Sequence, residues 1–171
     1  MILCGILNLT EDSFSDGGRY LGFDAAIAHG DKLLADGADW LDIGGESSRP
    51  GASELDPAEE ARRVISVIEA VRAATDLPLS IDTYHASVAR AALGAGADAV
   101  NDIWGLRHDP DMARVVAESG AVLIAMPLSM FVFPAVPGTP LPKVFTDYAA
   151  TPKQPLALDP SLVDEKRAEW L

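Results

Sequence analysis

Four apolar runs in this 171-residue chain are followed at once by polar residues that could bind or move charge. Asn8 closes the first and opens into Leu9-Thr10-Glu11-Asp12-Ser13-Phe14-Ser15-Asp16-Gly17-Gly18. Asp42 closes the second, which runs on into Gly44-Gly45-Glu46-Ser47-Ser48-Arg49-Pro50-Gly51. Asp82-Thr83 ends the third and Asn101-Asp102 the fourth. The second loop has the composition of an anion site. Its glycines let backbone N–H groups approach a ligand, Ser47 and Ser48 add hydroxyl donors, and Arg49 adds a forked guanidinium. The competing reading is a set of helix caps, with Arg49 in a surface ion pair. Polar residues after four consecutive strands favour a functional rim, as do two loops longer than the usual two to about six residues.

The elements that would position these residues alternate. Apolar runs at 2–7, 40–43, 77–81, 97–100 and 121–126 read as strands. Between them lie helical spacings such as Ala61, Val64, Ile65, Ile68 and Val71. Asp56-Pro57, with Glu59 behind it, and Asp109-Pro110 mark helix starts, with the carboxylate as cap and proline at the first helical position. Gly37-Ala38-Asp39, Gly96-Ala97-Asp98 and Gly120-Ala121 mark helix ends turning into strands. Strand, helix, glycine turn and strand, repeated, predicts βαβ units and a parallel sheet of four βα units plus a fifth strand. In such sheets chemistry gathers at the carboxyl ends of the strands, which places all the polar groups above on one rim. Gly94-Ala95-Gly96 ends a helix instead of following a strand, the wrong context for dinucleotide binding.

The prolines mark a change after Met126. Eight of twelve lie at or beyond Pro127, where the βα repeat stops. Residues 1–126 are therefore read as a half-barrel. Residues 127–171 are read as a divergent proline-rich tail with a short terminal helix over 161–171. A closed eight-stranded barrel takes about 250 residues, more than this chain has.

Thirteen basic against 26 acidic residues give a net charge of −13, which argues against nucleic acid or an anionic membrane as partner. An apolar share of 49% argues against a disordered acidic chain. The lone cysteine, Cys4, excludes a disulfide within the chain or a cysteine zinc cluster and reads as a buried strand residue. His29 and His85 fall in predicted helices and His108 in a loop. With no zinc-pair spacing they read as exposed or structural. With no membrane span or signal-peptide layout, the expectation is a soluble, cytoplasmic protein.

The residues from Gly5 to Gly18, from Gly37 to Gly51, Ser80-Ile81-Asp82-Thr83 and Asn101-Asp102-Ile103 resemble four ordered signatures of the dihydropteroate synthases, folate-pathway enzymes of the pterin-binding barrel family. The resemblance covers residues 1 to about 126 and implies an incomplete (β/α)8 TIM-type barrel. It implies condensation of 6-hydroxymethyl-7,8-dihydropterin diphosphate with p-aminobenzoate, releasing pyrophosphate, with Mg2+ as cofactor. By motif, Asn8 would contact the metal and diphosphate. Ser48 and Arg49 would hold the diphosphate and border the amine. Asp82 and Asn101 would hydrogen-bond the amino-pyrimidine edge of the pterin. Thr10, Asp12, Ser13 and Phe14 would belong to a closing loop, and Met126 would contact substrate. Catalysis would fall to Arg49, Ser48 and Asp82.

The sequence departs from the family after Met126. Met126-Pro127-Leu128 stands where the family has Met-His-Met, and its later Asp-Pro-Gly, Ser-Arg-Lys and Arg-x-His segments have no convincing counterpart. The expectation is a truncated or frameshifted synthase, weakly active or inactive as an isolated chain. The alternatives are a methyltetrahydrofolate-binding methyltransferase and a non-catalytic pterin-binding half-barrel. Open sheet edges in such a half-barrel would invite a second copy, and so a homo-oligomer.

Overall fold

A computed structural model describes residues 2–9, 18–47, 54–125 and 131–134. Its elements follow in the order β1 (Cys4–Asn8), α1 (Gly18–Ala35), β2 (Trp40–Gly44), α2 (Pro57–Ala74), β3 (Leu79–Asp82), α3 (Ala86–Gly94), β4 (Ala99–Asp102), α4 (Met112–Ser119), β5 (Val122–Ala125) and β6 (Phe131–Pro134). All the strands join one sheet in their sequence order. The pairs from β1 to β5 are parallel, and β6 adds antiparallel to β5. Each parallel strand lies beside the next, so every crossover steps the same way, and right-handed crossovers then put all the helices on one face. This is the winding of a (β/α) barrel. A doubly wound sheet would reverse its order partway.

The helix-facing side holds the main core. Leu7, Leu41, Ile43, Leu79, Ile81 and Val100 meet Phe23 and Leu34 of α1, Val64, Ile68 and Val71 of α2, Val88 of α3 and Met112 and Val115 of α4. Burial in β1 alternates, Gly5 and Leu7 being covered while Cys4, Ile6 and Asn8 are exposed. Register carries that second face across the sheet as Cys4, Ile6 and Asn8, then Trp40, Asp42 and Gly44, Ser80 and Asp82, Ala99 and Asn101. Trp40 packs with Ala99 and Val122 there in a small separate cluster.

Several local expectations hold. Asp56 caps α2 by accepting from the Ala58 and Glu59 amides at 2.9 and 3.4 Å, and Pro57 follows it. Gly96 takes φ +112°, and a Cβ there would lie 2.8 Å from Arg72 Cγ, so both backbone and space require glycine.

Others are corrected. Glu59 does not fold back on the helix start. It pairs with Arg62 at 2.7 Å and Arg63 at 3.0 Å, which hold its carboxyl down at about 2. His85 is the N-cap of α3 and not a residue inside it, and its side chain makes no capping bond. Asp109 accepts from the Asp111 amide at 2.9 Å in the turn before α4, which begins only at Met112. Its other oxygen accepts from the Ala86 amide at 2.9 Å, so it also caps α3 from another loop. Cys4 lies in a strand but on the uncovered face, exposed. Desolvation of the thiol by the atoms around it, with the charge of Asp42 adding, pushes it up to about 12, which keeps it from being a thiolate nucleophile. A sixth strand also forms. It sits at the sheet edge, where the missing N–H of Pro134 leaves no central ladder broken. The expected terminal helix over 161–171 lies outside the described residues.

Candidate active site

The carboxyl ends of β1 to β4 come together in one register row, Asn8 beside Gly44, Gly44 beside Asp82, and Asp82 beside Asn101. With no side chain at 44, the space between neighbours stays open. A Cβ on Gly44 would lie 3.4 Å from Asp82 Cβ and 3.5 Å from Asn8 Oδ1.

One residue back along the strands, Asp42 and Ser80 form the layer beneath. Asp42 is only 6% exposed and accepts from Ser80 Oγ and, at 2.9 Å, from Asn101 Nδ2. A carboxylate can only accept, so it fixes which way round the Asn101 amide sits. Asn101 Oδ1 is then left buried without a hydrogen-bond partner among the described residues. Such an orphan costs free energy unless a ligand's N–H completes it. Sequence reading placed Asp42 at a strand end and gave it no role. A carboxylate inside the apolar run Trp40-Leu41-Asp42-Ile43 was the available signal.

Asp82 stands beside this pair in an acidic field. Burial, together with the neighbouring charges of Asp42, Glu60, Asp102 and Glu46, pushes its carboxyl up to about 7. Burial likewise raises Asp42 and Glu60, against the hydrogen bonds that each accepts. The rim therefore presents acceptors, one of them poised between acid and carboxylate near neutral pH. That arrangement suits a ring edge rich in N–H donors and repels a bare anion.

Of the residues singled out from sequence, the structure brings Asn8, Asp82 and Asn101 into one row. Thr10, Asp12, Ser13, Phe14, Ser48, Arg49 and Met126 lie outside the described residues. The histidines, given no site from sequence, do not stay apart. His85 and His108 have ring centroids 5.6 Å apart, with Tyr84 beside both.

The sequence model of a family described as pterin binding enzyme matches residues 4–140. The chain belongs to that family. It is 51% identical over 125 residues to the dihydropteroate synthase of Bacillus subtilis (strain 168), an alignment covering 73% of this chain and 44% of that protein. Its fold superimposes with a TM-score of 0.70 at 50% identity on the Clostridium difficile dihydropteroate synthase solved in the presence of pteroic acid, covering 72% of this chain and 47% of that one. The Xanthomonas albilineans enzyme with 4-aminobenzoic acid gives 0.68 at 51% identity, covering 71% and 44%. The chain thus spans under half the length of these relatives, and its open parallel arc is a partial (β/α)8 barrel.

Proposed function

We propose that the chain carries the pterin-binding side of a dihydropteroate synthase site, which condenses 6-hydroxymethyl-7,8-dihydropterin diphosphate with p-aminobenzoate and releases pyrophosphate. The observation that carries this reading is the acceptor pair on the rim, Asp82 and the unpartnered Asn101 Oδ1, with Asp42 holding the amide in place. A pterin's amino-pyrimidine edge offers adjacent N–H donors, which such acceptors complement. The relatives solved with pteroic acid and with 4-aminobenzoic acid support it.

In this reaction the C–O bond to the diphosphate breaks and its electron pair leaves with the diphosphate. The amine nitrogen then forms a C–N bond to the cationic pterin methylene and loses a proton. Ionised Asp82, bonded to the ring's N–H groups, stabilises the positive charge that the ring shares with the methylene. Asn101 fixes the ring's position. Ser48 and Arg49 would bind the departing diphosphate and border the amine. Thr10, Asp12, Ser13 and Phe14 would close over the substrates, and Met126 would border the ring. Asn8 fits a role toward Mg2+, because its carboxamide Oδ1 is a hard neutral donor beside the open space at Gly44. When bound, the ion would offset charge gathering on the diphosphate. We further propose that this work is done in the cytoplasm. Among the described residues no helix is long and apolar enough to cross a membrane.

The test is calorimetric titration of a 7,8-dihydropterin into the chain and its Asn101→Ala variant. The variant is expected to bind about tenfold more weakly, the cost of one buried polar partner. Equal affinities would contradict the reading.

A further inference from the structure

Away from the rim row, three side chains from three loops converge on one point. Glu54 precedes α2, His85 precedes α3, and His108 lies between β4 and α4. Glu54 Oε1 lies 3.6 Å from His85 Nε2 and 3.8 Å from His108 Nε2, and one ligand atom from each residue falls within 4.8 Å of the others. The Tyr84 ring sits beside both histidines, its centroid 4.4 Å from each imidazole. We propose that Glu54, His85 and His108 form a binding site for a divalent transition-metal ion of the zinc class, separate from the rim row of Asn8, Asp82 and Asn101.

Three observations carry the assignment. The donor set is two imidazoles and a carboxylate, which zinc accepts and magnesium, preferring oxygen alone, does not. The two spacings from Glu54 are close to what a tetrahedral ion needs, since ligand bonds of about 2.0–2.1 Å place neighbouring donors about 3.4 Å apart. Glu54 is largely exposed, so its carboxylate can move in by the few tenths of an ångström required. Finally, His85 already has the partner that ligating histidines use. Its Nδ1 lies 2.8 Å from Oε2 of the fully buried Glu60. An ionised Glu60 can only accept, which sets the proton on Nδ1 and leaves Nε2, on the Glu54 side, free to ligate. Three protein donors leave a fourth position for water, and the exposed Glu54 side gives the ion a way in.

The experiment uses the whole chain, freed of metal with a chelator and titrated with zinc alone by calorimetry. Cobalt(II) absorption then reads the coordination geometry. One zinc per chain is expected, with affinity about tenfold or more weaker in both Glu54→Gln and His108→Gln. Excess magnesium should not displace it, and cobalt should give the intense visible bands of a tetrahedral site. Cys4→Ser and His29→Gln should bind zinc as the parent does. Both test positions are on the surface, so their variants are expected to fold, and an unchanged melting temperature without metal checks this. The proposal is overturned if zinc binding is absent, if it survives both test substitutions unchanged, or if it is lost with Cys4 or His29 instead.

Discussion

Asp82 holds its proton to about 7 because burial and four neighbouring carboxyls oppose its charge. An unfolded aspartate ionises near its ordinary value of 3.8. Between those values the folded chain binds more protons than the unfolded one. Stability must therefore fall as pH rises through this window. Asp82→Asn removes the effect. It is expected to raise stability at pH 8 by on the order of 2–4 kcal/mol and to change little at pH 4, as read from denaturant midpoints. The site tolerates this cost because the carboxylate is the form that a pterin's donors would bind. Sequence could point to Asp82 and Asn101 through their places at strand ends. It could not point to Asp42, whose part depends on a neighbour 59 positions away reaching it with an amide. Nor could spacing suggest Glu54, His85 and His108, since only the return of successive βα loops to one rim brings them together.

Among the elements, the opposite end of the barrel carries stability. Arg72, at the end of α2, donates from Nε to Gly96 O at 2.9 Å and from Nη2 to Asp98 Oδ2 at 2.6 Å, while Asp98 also accepts from the Leu79 amide at 2.9 Å. The contact joins α2 to the α3–β4 turn and to the start of β3. Arg72→Ala is expected to cost about 1–3 kcal/mol in the unfolding midpoint while leaving pterin affinity unchanged. Asp56→Ala should cost about 1 kcal/mol through the lost cap of α2. These local devices were legible where a carboxylate or glycine acts within a few residues of itself, as Asp56 and Gly96 do. They were not legible where the partner lies in another loop. Asp109 accepts from the Asp111 amide ahead of α4, as its place in the sequence suggests, but its second bond, to the start of α3, comes from another loop.

For the whole molecule, period and turn chemistry were enough to read a repeated βα unit, but not the sixth strand. A proline such as Pro134 is excluded from a central strand but not from an antiparallel edge, where this one lies. The face opposite the helices leaves Ile6 58% exposed, where a closed barrel packs layers of side chains. This polypeptide spans under half of each relative. On its own it is expected to turn substrate over far more slowly than those enzymes under matched assay conditions, while still binding the pterin ring. Turnover at their rate would contradict that expectation.

The central claim is that a donor-rich ring edge binds the ionised form of Asp82. Calorimetric affinity for a 7,8-dihydropterin, followed from pH 5.5 to 8 in the parent and in Asp82→Asn, tests it most directly. The account predicts that affinity rises with pH, approaching tenfold per unit below about 7, and levels off above it. The variant should bind weakly with no such dependence. Equal parent affinity at both ends of the range, or a variant that binds as the parent does, would contradict it.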